Sequence, residues 1–439
     1  MSNNLVENVK SQNLALKLKL SPTQEQKSFL DKSFGCARFI YNFYLNEKNQ
    51  FYEKEIKPLG NDKKAKNAVW KTFEETPLKD LKIKYPWLKE ANQQGICNAY
   101  MNLKGAYQKF YKGLSELPKF HSKKNKNSFK DSMMKENFFN WNEKTVDLPK
   151  IGKIKFQHRN LPTWYKNRIK VCSYTCSRKP NGKYYINILF EVSLSFKQKL
   201  KSTEIDENQI IGLDFDCDDM YIDSNEKSAL KDFGFKKQKQ AHLSKLSHLQ
   251  RQYARTIKGS KNREKLRIKL TSLEEHIANA RLNWIEKETL RLTKENQLIG
   301  LEDLSIQGMM KGSKNAKNYQ DIAWSTFVNK LQWKGEKNGC HVIKIDRFFP
   351  SSQTCSCCGF KNKEVRIKHL EKWTCPKCGK EHQRDENAAI NIVVKSYKVL
   401  REAEENQEKT CSKKNKLSKD TGSVLSVEEL ANLALSIAQ

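Results

Sequence analysis

The sequence predicts a multidomain α/β and α+β chain: a small β-barrel split by a helical insertion, followed by an α/β domain that carries a cysteine-rich insertion. Three observations lead there. Period-two apolar patterns stand on both sides of a helical stretch. After residue 209, short apolar runs end in an acid. Two CxxC pairs lie shortly before a third acid.

Leu14, Leu16, Leu18 and Leu20 alternate with Ala15, Lys17 and Lys19, the pattern of a half-buried strand. Ser21-Pro22-Thr23-Gln24 then predicts a helix start, with Ser21 as N-cap and Gln24 closing a capping box. The pattern stays helical to about residue 145. Ile96, Tyr100, Leu103, Tyr107 and Phe110 step by three and four and predict one buried helix face. Lys119–Lys130 reads as a basic loop, either a solvated linker or a phosphate-contacting segment through Lys123, Lys124 and Lys126. Strands resume from 145 to 205. Asn181-Gly182 is a hairpin turn, and Tyr184, Ile186, Ile188, Phe190, Val192, Leu194 and Phe196 alternate after it. Residues 1–20 and 146–205 thus form the expected barrel and 21–145 the helical domain.

A second domain is expected over 209–350 and 381–400. Ile210–Leu213 is a short buried strand ending in Asp214, and Leu298–Leu301 is another ending in Glu302. Between them, two helices turn at Lys258-Gly259-Ser260, with Leu266, Leu270, Leu273, Ile277, Ala280 and Trp284 as the seam of a helical hairpin. His341–Ile345 is a third strand. Residues 351–380 form the insertion, and 401–439 read as a flexible tail.

Lys and Arg number 82 against 50 Asp and Glu, a net charge of +32. Such a chain repels itself unless a polyanion neutralises it, so nucleic acid is the expected partner. No window offers the roughly 18 apolar residues of a membrane helix, and MSNNLVENVK lacks a secretory h-region. A cytoplasmic protein with no membrane partner is expected.

Of twelve cysteines, Cys355 and Cys358, then sixteen residues, then Cys375 and Cys378 have the spacing of a four-thiolate zinc ribbon. Four protein ligands leave no open position, so this Zn2+ is expected to be structural. Asp214, Glu302 and Asp385, the last opening an apparent helix, are candidates for a second kind of site. Phosphodiester hydrolysis by two Mg2+ ions needs several carboxylates converging from different strand ends.

The motifs Gly212-Leu213-Asp214, Gly300-Leu301-Glu302 and Asp385-x-Asn387-Ala388-Ala389-x-Asn391-Ile392 resemble the split motifs of an RNase H-like RuvC nuclease. Pro350–Gly359 resembles the zinc segment of the TnpB proteins of insertion sequences, considered ancestral to type V CRISPR effectors. Further likeness lies in Phe34–Asn42, Leu148–Gly152 and Gly182–Tyr185. The resemblance covers roughly residues 13–400. It implies a wedge barrel, a helical recognition domain and a RuvC-like nuclease domain with a zinc-ribbon insertion. It also implies catalysis by Asp214, Glu302 and Asp385 with Mg2+, a guide RNA, and a double-stranded DNA target bearing an adjacent motif. A monomer is expected rather than a dimer, and Arg384 is the candidate to hold a phosphate of the cut strand. Asp216 departs from the family, which commonly has Gly there; it and the acids of Cys217-Asp218-Asp219 either perturb the metal geometry or add outer charge. A miniature CRISPR effector with an array-derived guide, a catalytically quiet RNA-guided repressor and a strand-joining transposase share parts of this pattern.

Overall fold

The computed structural model describes residues 7–124, 127–132, 138–157, 160–216, 220–224, 235–311, 316 and 322–420, without the side chains of 7, 235–241 and 410–420. The chain divides into two compact units, Val9–Leu194 with Leu246–Glu275, and Ser195–Lys245 with His276–Gln439 and Met1–Asn8.

The first unit is built on a seven-stranded sheet. Its strands are β1 (Glu7–Ser21), β2 (Ser128–Asp131), β3 (Phe139–Asn140), β4 (Thr145–Leu148), β5 (Gly152–Gln157), β6 (Arg168–Arg178) and β7 (Tyr184–Lys197), in the order β2-β6-β7-β1-β5-β4-β3. Leu16, Leu18 and Leu20 of β1 are buried, and so is the whole alternating set from Tyr184 to Phe196 on β7. The β6–β7 turn places Gly182 at φ +80°, as Asn-Gly requires. Among the described residues this sheet does not close into the expected barrel. Closure needs two long edges to pair, but β3 spans two residues and β2 lies under a helix. That helix, Gln93–Tyr111, covers the β2 edge: Asn98 Nδ2 donates to the Lys130 carbonyl at 3.0 Å, and Gly95 is pressed against Phe129.

Two further details differ from the sequence reading. The first helix, Gln24–Phe51, is capped by Thr23 and not Ser21, with Gln26 returning the bond. Ser21 is still in the ladder, paired with Lys155, and cannot serve as cap. Ile96, Leu103 and Tyr107 are buried as expected, but Phe110 at the end of the helix is exposed. The basic loop is also shorter than read, since Ser128–Asp131 is β2.

The second unit holds a four-stranded sheet of β8 (Ile210–Asp216), β9 (Met220–Asp223), β10 (Leu298–Glu302) and β11 (His341–Ile345), ordered β11-β10-β8-β9. β10 runs parallel to both β8 and β11, and β9 folds back antiparallel on β8. Ile211, Leu213, Ile299 and Leu301 pack with Trp284, Leu292, Phe327 and Leu331 from the helices Lys261–Glu295 and Trp324–Asn338. A C-terminal helix, Arg384–Asp420, packs along β8, β10 and β11. It runs past Leu400, where a tail was expected. Glu404 accepts from the Ser202 amide at 2.9 Å there, which anchors this part of the helix.

Gly212 and Gly300 are register partners on β8 and β10, directly beneath that helix. A Cβ at Gly212 would stand 2.1 Å from the Ala389 carbonyl oxygen, and one at Gly300 2.3 Å from Ser396 Oγ. Glycine therefore sets the helix-to-sheet distance. Gly212→Ala should cost about 1–3 kcal/mol or more, because a helix backbone cannot rotate aside as a side chain can. Thermal unfolding checks this, and an unchanged midpoint would refute the tight packing.

Candidate active site and metal centre

The two cysteine pairs fold the same way twice. In each, the glycine after the second cysteine donates its amide to the first cysteine's carbonyl: Gly359 to Cys355 and Gly379 to Cys375, both at 2.9 Å. Both glycines take positive φ, +73° and +72°. The first cysteine of each pair donates back, Cys355 to Phe360 and Cys375 to Lys380, again at 2.9 Å. All four sulfurs lie within 4.8 Å of one another. Cys355–Cys378 and Cys358–Cys375 are each 3.6 Å apart. A tetrahedral zinc thiolate with bonds of about 2.3 Å implies sulfur spacings near 3.8 Å, so the donor set fits one zinc ion. Cys357 is exposed and outside the cluster. The hairpin β12 (Lys372–Thr374) and β13 (Glu381–Gln383) closes the ribbon over a small core of Val365 and Trp373. His382, which the sequence reading passed over, places Nε2 3.1 Å from Cys355 Sγ. With a proton on that nitrogen it donates to the thiolate, the usual task of a group outside the ligand set.

The three acids come together. Asp214 lies on β8, Glu302 ends β10 alongside it, and Asp385 is in the first turn of the C-terminal helix that the two glycines admit. The Asp214 carboxyl is pushed well above the usual carboxylate range. Desolvation is the main cause, followed by the charges of Glu302 and Asp385, with Arg384 opposing. Glu302 is also raised, by burial, against the pull of the Ser351 hydroxyl. A buried carboxyl whose proton affinity is raised further by two neighbouring acids marks a concentration of negative charge, the electrostatic condition for binding hard cations. Their oxygens are more widely spread than the cysteine sulfurs, the one group of three or more such ligand atoms within 4.8 Å among the described residues.

Arg384 has a protein partner: its Nε donates to Asp385 Oδ1 at 2.7 Å. Asp216 ends β8 opposite Met220, while Cys217, Asp218 and Asp219 lie outside the described residues. Lys123 and Lys124 are exposed on a turn of the other unit, and Lys126 lies outside the described residues.

A set of polar residues that the sequence reading quoted within motifs but gave no individual role binds the acids to the ribbon. Ser351 Oγ donates to Glu302 Oε1 at 2.6 Å. Asn391 Nδ2 donates to the carbonyls of Ser351, at 2.8 Å, and Thr354, at 2.6 Å. Asn387 Nδ2 donates to the Thr354 carbonyl at 2.7 Å, and its Oδ1 accepts from the Ser356 amide at 2.9 Å. Asn387 and Asn391 are 1% and 6% exposed. Their signal was present in the sequence. Two amides at i and i+4 among Ala388, Ala389 and Ile392 share a buried helix face, where polar groups require partners.

The second unit is therefore an α/β domain carrying an acidic trio and a four-cysteine cluster. Three family descriptions match parts of the chain. "Helix-turn-helix domain" of the OrfB/IS605 group matches 12–57, "Probable transposase" of the same group 192–313, and "Cas12f1-like, TNB domain" 324–392. A protein of Streptomyces pristinaespiralis is 27% identical over 86% of this chain and 88% of its own. One of Escherichia coli is 26% identical over 88% and 93%. The first is named "Putative RNA-guided DNA endonuclease", and the second bears the same name with the suffix InsQ. Among solved structures, a Cas12f1–sgRNA–target DNA complex aligns over 84% of this chain and 83% of its own, at 18% identity and a TM-score of 0.47. The chain is a relative of the insertion-sequence TnpB proteins. No helix among the described residues is long and apolar enough to cross a membrane.

Proposed function

We propose that this protein is an RNA-guided DNA endonuclease of insertion-sequence origin, working inside the cell as a monomer through an RNase H-like RuvC site. The observation that carries this reading is the convergence of Asp214, Glu302 and Asp385, acids 88 and then 83 positions apart, into one electrostatically coupled group. The names borne by its relatives and the +32 charge support the choice of substrate and guide.

Asp214, Glu302 and Asp385 would hold two Mg2+ ions. When bound, these supply an activated water and charge stabilisation for the leaving oxygen. Asp214, on an internal strand and within electrostatic reach of Glu302 and Asp385, would be the acid common to the group. Its raised proton affinity comes from burial first and from the neighbouring acids second, and a divalent cation would offset both. Arg384 is paired with Asp385. Once that carboxylate is engaged elsewhere, the guanidinium is free for a phosphate of the cut strand. Lys123, Lys124 and Lys126 are proposed as backbone contacts, which add affinity without sequence choice. The four-cysteine ribbon holds one structural zinc and belongs to the part that handles target DNA.

Sequencing the RNA that co-purifies with the protein tests the reading. A single transcript running out of the flanking element end is expected. Repeat-derived guides would overturn the transposon assignment, and the absence of bound RNA would overturn RNA guidance.

A further inference from the structure

We propose that Ser351 positions Glu302, and that Asn391 and Asn387 hold Ser351 and the first cysteine knuckle as one scaffold for the carboxylate site. The inference rests on the reading of the acids as metal ligands, and adds residues to which that reading assigns nothing.

Glu302 ends a strand, and its side chain has three rotatable bonds, so strand geometry alone does not fix its carboxylate. The Ser351 hydroxyl does, with a short charge-assisted bond of 2.6 Å to Oε1 that leaves Oε2 for an ion. Ser351 is 6% exposed in the turn Ser351–Gln353 and is itself fixed by its carbonyl, which accepts from Asn391. The same amide takes the Thr354 carbonyl, which Asn387 shares. Thr354 directly precedes Cys355, and the Ser356 amide donates to Asn387. Both asparagines stand on the helix whose first turn carries Asp385. One helix therefore holds Asp385 directly and Glu302 through Asn391 and Ser351, and its two amides clasp the segment that enters the cysteine cluster. The ribbon is joined to the acids by five hydrogen bonds running through these three residues, one to Glu302 and four to the segment 351–356.

The test uses full-length protein with its co-purified RNA, and compares Ser351→Ala, Ser351→Thr and Asn391→Ala with the parent. Two readouts are needed: Mn2+ affinity by calorimetry, and cleavage as a function of Mn2+ concentration. Loss of a group that orients a metal ligand typically costs about 10- to 100-fold in affinity or activity. Ser351→Ala and Asn391→Ala should raise the half-saturating Mn2+ concentration by about that factor. Ser351→Thr, which keeps the hydroxyl, should recover most of it, and zinc content should stay at one per chain in both Ser351 variants. Parental Mn2+ affinity in Ser351→Ala overturns the proposal. So does a fall in zinc content or melting temperature without a change in metal dependence, which marks a purely structural role. If Asn391→Ala fails to fold, the two Ser351 variants decide. An Asp214→Ala control separates the two levels. Cleavage surviving there sinks the carboxylate reading, whereas parental behaviour in Ser351→Ala alone sinks only the scaffold.

Discussion

Replacing Asp214 with Asn should abolish DNA cleavage and, at the same time, make the metal-free protein more stable at neutral pH. Metal ions at such a site supply several kcal/mol of charge stabilisation, and each 1.36 kcal/mol is a factor of ten. Loss of this proposed ligand should therefore lower the cleavage rate on the order of 10³-fold or more, with RNA binding intact. The stability effect has the opposite sign. Asp214 and Glu302 hold their protons more tightly folded than unfolded. Their contribution favours the fold below the ordinary carboxylate pKa of about 4 and is lost as pH climbs from there through the raised values. At pH 7, without metal, the protein thus bears the desolvation of the Asp214 charge and its repulsion by Glu302 and Asp385, which an amide removes. Each kcal/mol recovered moves the midpoint by about 2–4 °C for a domain of this size. Melting scans across pH, with and without Mg2+, check this. The parent should gain from the ion and the variant should not. A variant less stable than the parent without metal at pH 7 would contradict the electrostatic account.

Replacing Cys375 with Ser should have the second largest effect, by another route. A four-thiolate zinc site contributes its binding energy to folding, about 10–16 kcal/mol in isolated finger peptides. The ribbon's own buried core of Val365 and Trp373 with two cysteines is too small to replace it. Zinc content should fall to near zero. Trp373, 5% exposed, should report the loss through red-shifted fluorescence. Cleavage should fall as well, because Thr354 and Ser356 no longer brace Asn387 and Asn391. Cys357→Ser, at an exposed thiol outside the cluster, should leave zinc content unchanged. Full zinc in the Cys375 variant would mean that His382 or another group substitutes, and would contradict the four-cysteine assignment.

How far the sequence foretold these features depended on whether a feature is local. The alternation from Tyr184 to Phe196 and the paired CxxC spacing are one-dimensional patterns, and the strand and the cluster follow them directly. The three acids were legible for a related reason: each sits at a fixed offset from a short apolar run or a helix start. Three-dimensional features were not legible. Whether the sheet closes depends on what covers the β2 edge, and that is decided by Asn98, distant in sequence from the strand it caps. The helix start moved from Ser21 to Thr23 because pairing with β5 extends β1 by a residue that local capping preference cannot see. Gly212 and Gly300 look like motif letters until the C-terminal helix is laid across them. Ser351 carries no signal of its own, since its partner Glu302 is 49 residues away.

Anomalous diffraction, or a high-resolution map, of the protein soaked with Mn2+ tests the shared-ion site most directly. Manganese peaks flanked by the Asp214, Glu302 and Asp385 carboxylates, distinct from a zinc peak at the cysteines, are the predicted result. Manganese bound at other acids, with those three carboxylates left bare at saturating ion, would contradict it.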